Sequence, residues 1–131
     1  MERPPAGEIA PKPVRWIGSA KEDLSAFPGD VKGRVGLALW KAQIGSKAPY
    51  AKPLRGFGGG SVLEVVDDFD GNTYRAAYTV QFEGVIYVLH AFQKKSRKGI
   101  ETPMADVNMI RSRLVRAKKD YQEWRKSQKS R

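Results

Sequence analysis

The sequence predicts an α+β domain in which an N-terminal helical hairpin packs on an antiparallel β-sheet and a C-terminal helix follows. Two segments of helical periodicity come first along the chain. Three β-type segments follow, joined by links too short for a parallel crossover, which needs about a dozen residues. The last third carries apolar residues at steps of three and four, the pattern of an amphipathic helix.

The N-terminal part contains a short strand and the hairpin. Residues 14–17 are a β-type run. Ser19 and Glu22 have the spacing of a capping box, which predicts a helix that begins at Ala20. A Pro-Gly pair interrupts that helix, and a second one begins at about Asp30 and ends near Gly45. Because the link is so short, we expect the two helices to be antiparallel.

The middle of the chain reads as a loop followed by a β-meander. Residues 46–60 are rich in proline and glycine and predict a loop. Three strands are expected at residues 61–66, 73–81 and 85–93, with a turn signal over residues 67–72.

The last helix is expected to begin at Thr102 and Pro103, with Thr102 as the N-cap and proline at the first helical position. One apolar stripe runs along it, ready to pack on the sheet or on a partner, and comprises Val107, Ile110, Leu114, Ala117, Tyr121 and Trp124.

The 131 residues indicate one domain, with a flexible lead-in at residues 1–12, the domain itself at 13–126 and a basic tail at 127–131. There is no cysteine, and no apolar run approaches the roughly 20 residues of a membrane span. The N-terminus lacks the apolar segment of a signal peptide. We therefore expect a cytoplasmic protein that has no membrane partner.

Positive charge is the strongest global signal. Lysine and arginine number 24 against 14 acidic residues, a formal net charge of +10. Residues 111–131 alone hold nine cations and two acids. Such an excess favours nucleic acid, an anionic membrane surface or an acidic protein as the partner.

The chain concentrates cations directly after its last apolar strand. Lys94, Lys95, Arg97 and Lys98 surround Ser96 within five residues. A solvated turn is the simple interpretation. The alternative is an anion-binding site, most simply for an RNA or DNA backbone, because a rigid strand would hold these cations at a fixed place.

Arg75 and His90 lie in the middle of predicted strands. A cation there is costly unless it is paired or faces a groove, so Arg75 forms either a salt bridge to Glu64 or a bidentate phosphate clamp. His90 is the sole histidine and is either structural or a general acid or base. One histidine without cysteines offers no metal ligand set, so we expect neither metal nor cofactor.

Two further cations, Lys52 and Arg55, lie in the predicted loop. Leu54 and Phe57 would pin that loop to the core. The functional alternative adds Lys52 and Arg55 to a phosphate-facing surface.

These motifs resemble a known family. They comprise Leu54-Arg55-Gly56-Phe57-Gly58-Gly59, Leu63-Glu64-Val65, Tyr74-Arg75-Ala76-Ala77-Tyr78, the run from Tyr87 to Ser96, Thr102-Pro103 and Arg113-Leu114. Together, over about residues 14–117, they resemble the phage-derived, HigB-like branch of the RelE/ParE toxin superfamily. The resemblance implies a RelE-like fold with a twisted antiparallel sheet, and the toxin half of a type II toxin–antitoxin pair.

Toxins similar to RelE and HigB cleave mRNA in the ribosomal A site without a metal, by attack of the RNA 2′-hydroxyl on the adjacent phosphate. By position, Arg75 matches the phosphate-binding arginine of the family, and Lys95, beside Lys94, matches its catalytic basic residue. Arg97 and Lys98 would support RNA binding. Glu64 and Val65 stand where RelE has lysines in its preceding strand, and the last helix has no clear counterpart of the catalytic RelE tyrosine, so the general base stays open.

The resemblance implies a cognate antitoxin, expected to carry a helix-turn-helix domain, and the ribosome and mRNA as further partners. Two alternatives remain at this point. One is a ParE-like toxin that inhibits a DNA topoisomerase. The other is a basic binding module that performs no reaction.

Overall fold

The computed structural model describes residues 10–94 and 101–129 of the chain. Five strands form one sheet in the order β1-β5-β4-β3-β2. The elements in chain order are β1 (Val14–Trp16), α1 (Ala20–Ser25), α2 (Gly29–Gln43), β2 (Ala51–Pro53), a short 3-10 helix (Gly58–Gly60), β3 (Val62–Phe69), β4 (Asn72–Thr79), β5 (Ile86–Lys94) and α3 (Met104–Lys129).

The central meander matches the prediction. Strands β3, β4 and β5 pair antiparallel. The turn is tighter than the predicted turn over residues 67–72, because only Asp70 and Gly71 lie between the paired residues Phe69 and Asn72. Both turn residues have positive φ, 51° and 85°. Asp-Gly suits such two-residue hairpins, so the strands continue further into the predicted turn.

The sheet is mixed rather than purely antiparallel, which corrects the prediction. Strand β1 pairs with β5 in parallel, from Val14 opposite Ile86 to Trp16 opposite Val88. The intervening chain contains both helices and three strands, so it is long enough for a crossover. Strand β2 lies inside the predicted loop and pairs antiparallel with β3.

A β-bulge interrupts the pairing of β4 with β5. Ala77 lies opposite His90, whereas the next residue, Tyr78, lies opposite Val88, so Leu89 is the extra residue. Residues on either side of a bulge lose the strict alternation of a strand. Accordingly, Tyr87 and Leu89 belong to one core cluster, and Val88 and Ala91 belong to the other.

The sheet is covered on both faces. Helices α1 and α2 pack on one face through an apolar cluster that includes Leu24, Val31 and Val35. Helix α3 covers the other face, where Ile110 and Ala117 are fully buried. All six residues of the predicted apolar stripe belong to that second cluster, so α3 uses the stripe to pack on its own sheet. None of the helices in the described part of the chain is long and apolar enough to cross a membrane.

An ion pair joins the C-terminal half of α3 to β1. Arg15 donates to Asp120 from Nε at 2.6 Å and from Nη2 at 3.0 Å, and the Tyr87 hydroxyl donates to the same carboxylate at 2.6 Å. The hydrogen bond from Arg15 lowers the pKa of Asp120 from its usual value, and the bond from Tyr87 acts in the same direction.

We therefore expect Asp120→Asn to cost about 1 kcal/mol at pH 7, a value kept small because both side chains are partly exposed to solvent. The folded-state pKa of Asp120 lies below its unfolded value near 3.8, so this stabilisation is complete above that pH and is lost as pH falls through the folded-state pKa. Denaturant unfolding of the wild type and of Asp120→Asn should show a smaller difference in the free energy of unfolding at pH 3 than at pH 7. An equal difference at both values would contradict the prediction.

Candidate functional site

The predicted site lies where β5 ends. Lys94, the last residue of β5, pairs with Thr73, and Phe92 pairs with Arg75. Residues directly opposite each other in a sheet point to the same face. The side chains of Lys94 and Arg75 are therefore diagonal neighbours on the face that α3 covers further along. Lys95, Ser96, Arg97 and Lys98 lie outside the described residues.

Arg75 is held in a buried polar network. Its Nη1 donates to Glu64 Oε1 at 3.1 Å and to Thr102 Oγ1 at 3.2 Å. The Thr102 hydroxyl in turn donates to Glu64 Oε2 at 2.7 Å. Arg75 is only 2% exposed and Glu64 7%. The contact confirms the salt bridge to Glu64, and direct phosphate binding by Arg75 would require this pair to open.

Thr102 has a different role from the predicted helix cap. Its hydroxyl is used by Glu64 and Arg75, and α3 begins two residues later, at Met104. The Pro103 carbonyl accepts the backbone N–H groups of the first helical turn. Lys94 and Thr102 lie close to the two ends of residues 95–100, so the sheet and the network fix the positions from which that segment departs and to which it returns.

His90 has partners on both ring nitrogens. Arg113 Nη1 lies 3.3 Å from Nδ1, and Asp106 Oδ1 lies 2.8 Å from Nε2. A guanidinium can only donate, so Nδ1 accepts and the proton resides on Nε2, which donates to Asp106. The ring also stacks on Phe92, with centroids 4.8 Å apart. This geometry favours the structural interpretation of His90 over a general base.

Arg113 links three elements at the back of this site. It donates to the Leu89 carbonyl at 3.0 Å and to the Ser19 hydroxyl at 3.2 Å, and Ser19 donates to Asp23 at 2.7 Å. Burial lowers the pKa of Arg113, while Asp23 acts in the opposite direction. This arrangement also corrects the predicted capping box: α1 begins at Ala20 as expected, but Ser19 makes no cap hydrogen bond.

Sequence reasoning missed Asp106 and Arg113 as partners of His90. The two residues lie seven apart on α3, two turns along the helix, and therefore on one face. Asp106 and Arg113 each directly precede a residue of the apolar stripe, Val107 and Leu114. A polar pair at that spacing beside a lone strand histidine is the signal that could have revealed them.

Lys52 and Arg55 are both exposed to solvent. Lys52 lies opposite Glu64, which places it on the face of Arg75 and Lys94. Leu54 and Phe57 are buried, as expected for a loop pinned to the core. Arg111 stacks over Phe57 at 4.7 Å and adds a cation beside this loop that the sequence did not indicate.

The described residues contain no group of three or more histidine or acidic side chains able to hold a metal ion. Glu64 and Thr102 are hydrogen-bonded in the network around Arg75, and His90 links Asp106 to Arg113.

Residues 22–115 match the model of the family described as "Phage derived protein Gp49-like (DUF891)". The chain belongs to this family. Membership of the Gp49-like family confirms the phage-derived branch that the motifs indicated. The helical hairpin, the sheet and the C-terminal helix likewise confirm the expected α+β fold class.

A search of solved structures found similarity to the toxin–antitoxin complex RelBE2 from Mycobacterium tuberculosis. The match has 20% sequence identity and a TM-score of 0.43, and it covers 68% of this chain and 98% of that one. A TM-score below 0.5 is too low for structural inference. The search of curated proteins found no match to this Gp49-like chain.

We expect Arg75→Ala to lower the free energy of unfolding by about 3–5 kcal/mol, because it leaves Glu64 buried without its counter-charge. Arg75→Met combined with Glu64→Leu should recover most of this loss, since neither charge then remains. Urea denaturation measures both values. If the free energy of unfolding of Arg75→Ala lay within about 1 kcal/mol of the wild-type value, the ion pair would contribute little to stability.

Gly18 is constrained by the guanidinium of Arg113. A Cβ at Gly18 would lie 2.9 Å from Arg113 Cζ, and the backbone has φ +57°. We expect Gly18→Ala to destabilise the protein by about 1–3 kcal/mol. Gly33→Ala is the matched control, because nothing lies within 4 Å of its Cβ position in the interior of α2. That variant should stabilise by up to about 1 kcal/mol, and thermal unfolding that gave both variants the same sign would contradict this account.

Proposed function

We propose that this chain is the toxin of a type II toxin–antitoxin system and that it acts as a ribosome-dependent mRNA endonuclease. The family assignment, the resemblance of its motifs to HigB-like toxins and the net charge of +10 support the proposal. The substrate is single-stranded mRNA, whose phosphates a basic surface attracts in a salt-dependent manner.

The observation that carries the proposal is the network of Arg75, Glu64 and Thr102 beside Lys94. It ties β3, β4 and the start of α3 together at one end of the sheet. Four cations lie in sequence between Gln93 and Gly99. Strand pairing holds Lys94 on one flank of this segment and the buried network holds Thr102 on the other, so the scaffold keeps the Lys94 backbone at a defined place, which is what transition-state stabilisation requires.

The proposed reaction is a transesterification within the RNA. The 2′-oxygen attacks the adjacent phosphorus and loses its proton, the bond from phosphorus to the 5′-oxygen breaks, and that oxygen gains a proton. The products are a 2′,3′-cyclic phosphate and a 5′-hydroxyl. Lys94 and Lys95 are proposed to neutralise the charge that develops on the phosphate oxygens and to transfer protons. The chemistry requires no metal.

Arg75 and His90 then act as positioning residues rather than by touching the phosphate. Arg75 anchors Thr102 and Glu64, and His90 supports Phe92 from behind. Lys52 and Arg55 are proposed to bind RNA phosphates on the exposed side of the site. Ser96, Arg97 and Lys98 are proposed to do so from the adjoining segment.

The proposed partners are a cognate antitoxin of the helix-turn-helix type, the ribosome and mRNA, in the cytoplasm. An acidic antitoxin segment would suit the cationic surface. The alternative is a toxin or binding module that performs no cleavage. The burial of Arg75 and the full engagement of His90 are the observations that favour this alternative, so it needs a direct test.

Lys94→Ala provides that test. We expect it to lower mRNA cleavage about 100-fold, the scale for losing a positioned charge or proton-transfer group. Lys129→Ala is the control: it removes the same charge at the far end of the 26-residue α3, about 35–40 Å from the site, and should cleave like the wild type. The measurement is induction in cells with growth recorded and mRNA 5′ ends mapped. Growth arrest without new mRNA ends would instead support the non-cleaving alternative.

A further inference from the structure

A groove of ≈ 510 Å³ opens beside the end of β5. Strand β1 covers the edge of β5 only as far as Val88, so the edge beyond that residue borders the groove. Its volume falls within the range of about 300–1,000 Å³ typical of small-ligand sites. The lining residues that matter are Asp23 and Phe27 from the α1 side and Tyr74, His90, Phe92 and Gln93 from the sheet.

The groove is rich in rings. Phe27 and Tyr74 meet edge to face, with centroids 5.0 Å apart. His90 and Phe92 stack at 4.8 Å with an interplanar angle of 23°. Phe92 is half-buried, and its ring is held by the oriented imidazole of His90. Phe27, Tyr74 and His90 are buried, so among these four rings Phe92 is the one that a ligand can reach. A fixed, accessible aromatic ring is the usual stacking platform for an unpaired base.

Polar groups border the same groove. Asp23 accepts a hydrogen bond from Ser19 through Oδ2. Its carboxylate can only accept further bonds, so it would favour a ligand edge that carries N–H donors. Gln93 is exposed and offers both a donor and an acceptor. Among the RNA bases, guanine presents two adjacent N–H donors on its Watson–Crick edge, the pattern that a carboxylate matches.

We propose that this groove binds one unpaired base of the RNA, with guanine preferred, and this inference rests on the proposed function. The base stacks on Phe92, Asp23 accepts from its donor edge, and Gln93 closes the open side. Gln93 directly precedes Lys94 but points to the opposite face of the sheet, so the groove and the proposed cleavage site lie on the two sides of the same strand end. An RNA that crosses this end of β5, with one base in the groove and a neighbouring phosphate at Lys94, would be cut at a fixed position relative to a guanine.

The test measures binding of five-nucleotide RNAs to the full chain by fluorescence anisotropy at fixed salt. The probes carry uracil at four positions and, at the centre, 2′-deoxyguanosine, 2′-deoxyuridine or an abasic 2′-deoxyribose, so that none is cut there. We expect the guanine probe to bind about tenfold more tightly than the abasic probe, the scale of one stacked base.

Variants assign that preference to the groove. Phe92→Leu keeps an apolar side chain and should abolish the difference between the guanine and abasic probes, whereas Phe92→Tyr should retain it. Asp23→Asn should reduce the preference for guanine over uracil, with Asp30→Asn as the charge-matched control. Gln93→Ala changes an exposed side chain that folding does not need, and Gln122→Ala, exposed on α3, is its control.

The outcomes separate this inference from the proposed function. If the wild type cleaves mRNA but Phe92→Leu and Gln93→Ala both keep the full preference for the guanine probe, the base site is wrong and the endonuclease proposal stands. Equal affinity of the wild type for the guanine and abasic probes also overturns the base site. If the wild type neither binds these RNAs nor cleaves mRNA, the proposed function itself is overturned.

Discussion

The ion pair between Arg75 and Glu64 is the constraint on which the functional end of this protein depends. Two opposite charges in a buried position are stable only when their remaining donors and acceptors are satisfied. Thr102 meets part of that requirement by accepting from Arg75 and donating to Glu64. The pair thus decides where the chain returns to the sheet after β5, and with it where α3 begins.

One face of the sheet is packed by apolar side chains, and the other carries the buried polar groups. The cluster under α1 and α2 consists of apolar side chains and tyrosines. The face toward α3 carries the buried polar groups of the described residues: Glu64, Thr73, Arg75, Thr79 and His90 from the sheet, with Arg113 from α3 itself. An apolar core on one face can hold the sheet rigid while polar side chains are arranged on the other. The candidate site lies at the end of that second face.

The sequence predicted what periodicity encodes. The two N-terminal helices, the three-stranded meander and the stripe on α3 all follow from the local spacing of apolar residues and from turn signals. Strands β1 and β2 have three residues each, so their pairing depends on distant partners rather than on local pattern. The sequence therefore located β1 without its parallel partner and placed β2 in a loop.

The polar site was harder to predict for the same reason. Ser19 and Thr102 both have the local signature of a helix cap, yet tertiary partners, Arg113 for one and Glu64 for the other, take up their hydroxyl groups. The candidates Arg75 and His90 were identified by their improbable place in a strand. Their partners could be anticipated only for Arg75, because Glu64 was expected on the adjacent strand, whereas Asp106 and Arg113 come from a helix whose docking the sequence leaves open.

The extra residue at Leu89 has a consequence for how this site can change. With regular alternation from Tyr87 onward, Ala91 and Gln93 would point toward α3; the bulge turns His90, Phe92 and Lys94 there instead. Loss of the Leu89 codon would make the pairing of β4 with β5 continuous and would leave His90, Phe92 and Lys94 on that face, because each would keep its partner on β4. The bulge thus allows the apolar half and the polar half of β5 to present their side chains in opposite phase on one continuous strand.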